Sequence, residues 1–424
     1  MGRTAFTLVF AGFLIAAPAS LPFAQTEATI TLEQAMAEAL ARNPALAVER
    51  NEIDIAAGNL RQARVFPFNP ELEVEGSIGK GTSRGDEPQI RRGTDGRGIG
   101  ISQTLPIRGQ WALRIRSAEA SLDRAGRLVG DAERQVIGDV VRTFGDLLVG
   151  QERVALAGEL VALATEVHET ARKLFEAGAV PQLDVFRAEV ELNKARNRLV
   201  TEQRNLKTVQ RELALLVGRA ADQTVRGEGL LTLPVPPGDL TALQQTALQR
   251  RPDLAAGRAA LRAAEAEQAL VRAERFFPEL KIGAKYEEAR EFDAMNRRGL
   301  LTLSVPLPLL NRRQGDLQRA TAELKKQGAS VELIRRRIEK EVATAYQQVQ
   351  ASRGVTEAYA GRILPDQDRN FRLLREGYTL GQFSLTDVLV GQREFIEARE
   401  PYLDAAASLN ASIAELYRAV NSRP

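Results

Sequence analysis

The sequence predicts a mainly α-helical chain that lends four strands to a small membrane β-barrel it cannot close alone. Two observations carry this: four short segments alternate apolar and polar side chains at a period of two, and the second half of the chain repeats the first. In residues 71–79, Leu72, Val74, Gly76 and Ile78 share one face; in 98–105, Ile99, Ile101 and Leu105 do so. Ile282, Ala284 and Tyr286 stand opposite Lys281, Lys285 and Glu287, and Leu301, Leu303 and Val305 alternate with Thr302 and Ser304. A membrane strand needs such a two-faced pattern, one side for lipid and one for water. The expected lipid-facing set is Leu72, Val74, Ile99, Ile101, Ile282, Tyr286, Leu301, Leu303 and Val305. Four strands do not close a barrel, and an open edge does not survive in lipid. The barrel is therefore expected to be shared between chains.

Residues 1–24 read as an export signal. One Arg precedes an apolar run at 5–17, and Ala19 or Ala24 ends a small-residue cleavage stretch, the second being favoured. No later segment reaches the roughly 18 apolar residues of a membrane helix. The chain has 424 residues and a net charge of +3, with no sign of a nucleic-acid partner. Without cysteine, and with a single histidine (His168), it offers no thiolate site, disulfide or metal cluster, and no cofactor is expected.

The repeat has three signposts. Pro44 matches Pro252, 208 residues on, and Pro70-Glu71-Leu72 matches Pro278-Glu279-Leu280 at the same spacing. Asp184-Val185 matches Asp387-Val388 at 203, so the second copy is shorter in between. The first repeat is expected at 31–217, with strands at about 71–79 and 98–105; residues 218–238 form a linker; the second repeat is expected at 239–420, with strands at about 280–287 and 300–306. Each copy reads helix, helix, strand, strand, long helix, long helix.

The elements follow in order. A short helix stops before Asn43-Pro44, and a second starts at Pro44, where proline suits the first helical position. Polar loops at 80–97 and 288–298 join the strand tips, and Phe66, Phe68, Phe276, Phe277 and Trp111 gather at the helical ends of the strands. Residues 110–176 contain no proline, enough for a helix of roughly 100 Å. Gly178 and Pro181 mark a stop and restart. Val185, Ala188, Leu192, Ala195 and Leu199 then keep a 3–4 spacing, echoed by Val388, Gly391, Phe395, Ala398 and Tyr402, as in a coiled-coil seam. Pro365 and Pro401 fall inside the second copy's helices and should kink or break them.

The opening T-L-E-Q-A with A-L-A-R-N-P, its echo A-L-Q-R-R-P-D-L, F-F-P-E-L, L-S-V-P-L-P-L-L-N-R and Y-T-L-G-Q-F-S-L-T-D-V-L resemble the TolC-like outer membrane efflux proteins over nearly the whole chain after the signal. The resemblance implies a homotrimer with one twelve-stranded barrel among outer-membrane lipid and an α-helical barrel in the periplasm. It implies an exit duct joined by a periplasmic adaptor to an inner-membrane pump of the resistance-nodulation-division type. The Ile363-Leu364-Pro365 stretch and S-V-P-L-P-L-L-N-R-R-Q-G look most like its heavy-metal branch. It also implies adaptor contacts at the tips, Gly178, Ala179, Val180, Gly381, Gln382 and Phe383, and a periplasmic aperture at Asp184 and Asp387 with Tyr378 as a latch. Phe383 and Val390 depart from the charged gate residues of the family's best-known member, so a closed state is expected to rely on packing and hydrogen bonds.

A periplasmic coiled-coil adaptor would also show long paired helices, but does not explain two matched strand pairs. Within the fold, drug efflux or type I protein secretion are alternative duties. An enzyme would need a catalytic constellation, and none is written here.

Overall fold

The computed structural model describes residues 28–82, 91–220, 223, 225–275, 279–291 and 294–423. The export signal and the aromatic pair Phe276 and Phe277 lie outside them. Strand β1 (Ala28–Thr31) leads into α1 (Leu32–Arg42) and α2 (Pro44–Arg64), followed by β2 (Glu71–Thr82) and β3 (Arg91–Pro106). The long α3 (Gln110–Glu176) turns into α4 (Gln182–Leu216), and β4 (Val225–Glu228) follows. The pattern then recurs as α5 (Leu240–Arg250), α6 (Pro252–Glu274), β5 (Glu279–Glu291), β6 (Ala294–Ser304) and α7 (Gln314–Ala358). A π-helical turn (Tyr359–Ile363), α8 (Leu364–Thr379) and α9 (Leu385–Val420) complete it.

Local chemistry sets the joints. Thr31 and Gln34 close a capping box over α1. Asn43 caps α2 through Ala45 N–H and donates to the Leu216 carbonyl at 2.9 Å, so the end of α4 is stitched to the start of α2. Asn421 does the matching work at the other joint, donating to the Arg250 carbonyl at 2.9 Å. Beside it the buried Arg251 bridges Asp253 at 2.7 Å and Glu341 at 2.5 Å. Burial opposes that charge, but the two carboxylates hold the guanidinium protonated, and Arg251 in turn keeps the Asp253 carboxyl below its usual range.

The main core sits at this waist, where Leu46, Phe144, Leu147, Leu213, Ile338 and Ile413 meet. Two smaller cores continue toward the tips of the helical hairpins, the first around Leu160, Leu192, Phe371 and Phe395, the second around Val167, Ala188, Tyr378 and Val388. These are the expected seams: Ala188, Leu192 and Ala195 are buried in α4, and Val388, Phe395 and Ala398 in α9.

The linker is more than a spacer. Its strand β4 pairs in parallel with β1, Ile30 opposite Gly227. Gln151 exchanges two hydrogen bonds with the Gly227 backbone, and the buried Asn410 accepts from Leu233 N–H and donates to the Leu231 carbonyl. An unpaired amide buried there would be costly, so these contacts fix the path of the linker.

The prolines differ in effect. Pro365 lies in the first turn of α8, directly after the π-helical turn, so the helix is re-pitched just before it. Pro401 lies inside α9, which continues through it. Across the α8–α9 hairpin, Leu374 packs on Gly391, Phe371 on Phe395 at 5.1 Å, and Asp368 pairs with Arg399 at 3.2 Å.

A candidate membrane sheet and the hairpin tips

The strands form one antiparallel sheet in the order β2-β3-β5-β6, with β3–β5 joining the two repeats. Register decides its faces. Leu72, Ile101, Ala284 and Leu301 stand in one row, and Val74, Ile99, Tyr286 and Gly299 in the next on the same side. Ile282 opposite Leu303 adds a third. These side chains have no cover; Leu301 is 90% exposed. A patch of that kind marks an interface with lipid or protein.

The opposite face is charged. Lys281 pairs with Glu71 at 2.6 Å and Glu73 at 3.6 Å, and Lys285 with Glu75 and, at 2.7 Å, Glu287. Gly98 and Gly100 let the Lys285 stem lie across β3, since a Cβ at either would come within 3.1 Å of it.

The strands run farther than their alternation indicates. Within the expected loops at 80–97 and 288–298, residues 80–82, 91–97, 288–291 and 294–298 are paired strand, for example Arg97 opposite Glu288, and residues 83–90 and 292–293 lie outside the described residues. Val305, expected on the apolar face, lies one residue beyond β6 and is half-buried. Phe66 and Trp111 pack edge to face at 5.7 Å, and the Trp111 indole N–H donates to the Ala63 carbonyl. They fasten the strand–helix junction to itself.

At the far end, both hairpins turn in the same way. Gly178 and Gly381 adopt positive φ of 75° and 74°. Ala179 N–H reaches the Leu174 carbonyl and Gln382 N–H the Gly377 carbonyl, each at 2.8 Å, closing Schellman-type caps. Gly178, Ala179, Gly381, Gln382 and Phe383 are exposed, and Val180 is half-buried. Asp387 completes a capping box with Ser384, whose hydroxyl and N–H both donate to the carboxylate and hold it below its usual range. Asp184 lies 3.7 Å from Arg187 in the first turn of α4. Tyr378 is 4% exposed. Its hydroxyl has no hydrogen-bond partner among the described residues, and burial, with the charge of Asp184, raises its pKa. Asp184 and Tyr378 thus feel each other without bonding.

A model of the outer membrane efflux protein family matches residues 35–219 and again residues 243–422. The chain belongs to the outer membrane efflux protein family. As a member it is an outer-membrane efflux channel of the TolC-like type and not an enzyme. The cobalt-zinc-cadmium resistance protein CzcC of Cupriavidus metallidurans is 30% identical over 383 residues, 88% of this chain and 86% of that protein. The outer-membrane channel OprN superposes with a TM-score of 0.74 at 20% identity, covering 92% of this chain and 90% of that one. VceC of Vibrio cholerae does so with a TM-score of 0.74 at 18% identity, covering 92% and 96%. At such identities the likeness speaks for the fold.

Two features of this efflux protein escape sequence reading. A Cβ on Gly377 would run into the Phe383 ring, and one on Gly391 into Leu374, so the second tip is packed through glycines. The linker strap on Asn410 is the other. Gly391 stands in the seam that the sequence shows, but the contact of Gly377 with Phe383 runs to the turn and that of Gly391 with Leu374 crosses between helices; nothing local announces the strap. Among the described residues, no group of His, Cys, Asp or Glu could hold a metal ion, and no helix is long and apolar enough to cross a membrane.

Proposed function

We propose that three copies of this chain close their sheets into one twelve-stranded barrel, continued through the periplasm by a barrel of their long helices. The observation that carries this is the four-stranded sheet with one apolar and one charged face, whose outer edges on β2 and β6 have no partner strand among the described residues. Unpaired edges in lipid are expensive, and closure removes them. The apolar rows would face lipid and the Lys–Glu ladder the aqueous lumen. Lipid-face charges should separate this from any soluble role. Val74→Lys or Leu303→Lys should impair insertion by ~2–4 kcal/mol near the midplane, whereas Glu73→Gln and Thr302→Lys should be mild. Equal effects on both faces, read as heat-resistant trimer in the outer membrane, would count against the orientation.

With 67 residues, α3 carries its tip about 100 Å from the sheet. The two tips, around Gly178 and Gly381, are where a periplasmic adaptor would dock, linking the channel to an inner-membrane pump. Bulky substitutions at Ala179 or Gln382 should abolish export with trimer yield intact. Asp184 and Asp387, repeated three times, would ring the aperture with carboxylates, which favours cations. The likeness to a cobalt-zinc-cadmium resistance protein supports divalent metal ions as cargo. A deletion strain should lose tolerance to cobalt, zinc or cadmium salts and regain it with the intact gene. Unchanged metal tolerance alongside lost dye or antibiotic tolerance would assign the cargo elsewhere.

A further inference from the structure

The apolar band on the sheet is cut by charge. Its last unbroken row is Val74–Ile99–Tyr286–Gly299, and the next row on the same face, away from the helices, is Gly76–Arg97–Glu288–Arg297, beyond which Ile78 and Met295 share a row with Asp95 and Arg290. There Arg97 Nη2 lies 3.1 Å from one Glu288 oxygen, and Arg297 Nε lies 3.1 Å from the other. The Tyr286 hydroxyl donates to Glu288 as well, at 3.1 Å. The Glu288 side chain is 16% exposed, but Arg97 is 78% and Arg297 66% exposed. One sheltered carboxylate therefore holds two outward guanidiniums side by side.

A single arginine would neutralise Glu288; the second leaves a surplus positive charge on the row, three for three chains. Charges on a lipid-facing strand are costly at the midplane and nearly free near the interface, so this row belongs at headgroup depth. A guanidinium still has N–H donors after meeting one carboxylate, and its planar fork matches phosphate oxygens. Directly below, Val74, Ile99 and Tyr286 offer an apolar wall for acyl chains, with an aromatic ring at the boundary. We propose that Arg97 and Arg297, set by Glu288, form a clamp for the phosphate of a membrane lipid on the outer wall of the barrel. The proposal rests on the barrel reading above, with the apolar rows facing lipid.

Phosphatidic acid and diacylglycerol with identical acyl chains differ only in the phosphate, and native mass spectrometry of the detergent-solubilised trimer counts what each leaves bound. The wild type should retain phosphatidic acid over diacylglycerol, and Arg97→Gln with Arg297→Gln should weaken that retention roughly tenfold, the loss of about one charge-assisted hydrogen bond. Arg298→Gln, on the lumen side of the same strand, should change nothing. Equal retention by the wild type and the double variant, or equal retention of the two lipids, would overturn the clamp. So would displacement of phosphatidic acid by inorganic phosphate alone at comparable concentration, which would make the site one for free anion. Heat-resistant trimer in the variants establishes that they fold; failure of the wild type to form a trimer would instead defeat the barrel reading.

Discussion

The first helical hairpin, α3 with α4, runs as unbroken α-helix to its tip, whereas the second, α7 through α9, passes through a π-helical turn before α8 and carries a proline inside α9. Where the second has Pro365 and Pro401, the first has Ala162 and Arg198, 203 residues earlier. The π-helical turn stands beside Pro365. The tips differ in packing too. Gly377 and Gly391 of the second correspond to Leu174 and Ala188 of the first. Duplication kept the seam, the turn glycines and the aspartates, and let the prolines and the tip packing diverge. The hairpins are tied together by Arg399 with Glu159, Arg198 with Glu400 and Arg153 with Asp404. Exposed pairs of this kind contribute little singly.

The largest expected effect breaks the comparison at the tips. Gly377→Ala or Gly391→Ala should destabilise the second hairpin by about 1–3 kcal/mol, because Phe383 or Leu374 must give way. If packing there were loose, the same changes would stabilise the helix by about 1 kcal/mol. The sign, read from thermal unfolding, decides between them.

Hydrogen exchange tests whether the second hairpin is the more compliant. Amides at 357–363 and 397–401 should exchange about tenfold faster than those near Ala162 and Arg198, reflecting cheaper local opening. Pro401→Ala should narrow the gap, since it restores a helical N–H. Uniform protection in both hairpins would remove the distinction.

Caps and buried acids come next. Ser384→Ala should cost about 1 kcal/mol, while the first hairpin has no side-chain cap to lose at Pro181. Asp387 has a depressed pKa from Ser384, so its contribution is present above the ordinary carboxylate range and fades as pH falls through its folded value. On α3 the signs reverse. Burial raises the pKa of Asp146, so its folded-state contribution is fully present at low pH and lost as pH rises through its folded value. Asp146→Asn should therefore raise the melting temperature at neutral pH and lose that advantage in acid.

Much of this was legible in the sequence, for physical reasons. Asn43-Pro44, Gly178 and Pro181 carry backbone constraints that act locally, so the ends of α2 and α3 could be read within two residues. Alternation revealed the strands where one face is apolar, at Leu72–Val74 and Ile99–Ile101. Beyond Gly79 and before Gly98 it fails, because strand there is held by ladder hydrogen bonds between polar and glycine residues. The β1–β4 pair was invisible, since Val225-Arg226-Gly227-Glu228 becomes strand only against Ala28–Thr31. At the candidate aperture, the sequence matched Asp184 with Asp387, but their different partners, Arg187 and Ser384, depend on the turns around them.

The central claim, a barrel shared between copies, is open to one direct measurement. Within the chain, β3 meets β5 with Ile99 opposite Tyr286. Carried through the repeat, that pairing brings Leu303 of β6 opposite Ile78 of β2 in the next copy. The natural chain has no cysteine, so Leu303→Cys with Ile78→Cys gives a clean probe. Oxidation in intact outer membranes should yield disulfide-linked dimer and trimer and stop there, with neither single variant cross-linking. Monomer alone, from a protein that is folded and in the membrane, would contradict the shared barrel, and so would a ladder that runs past the trimer.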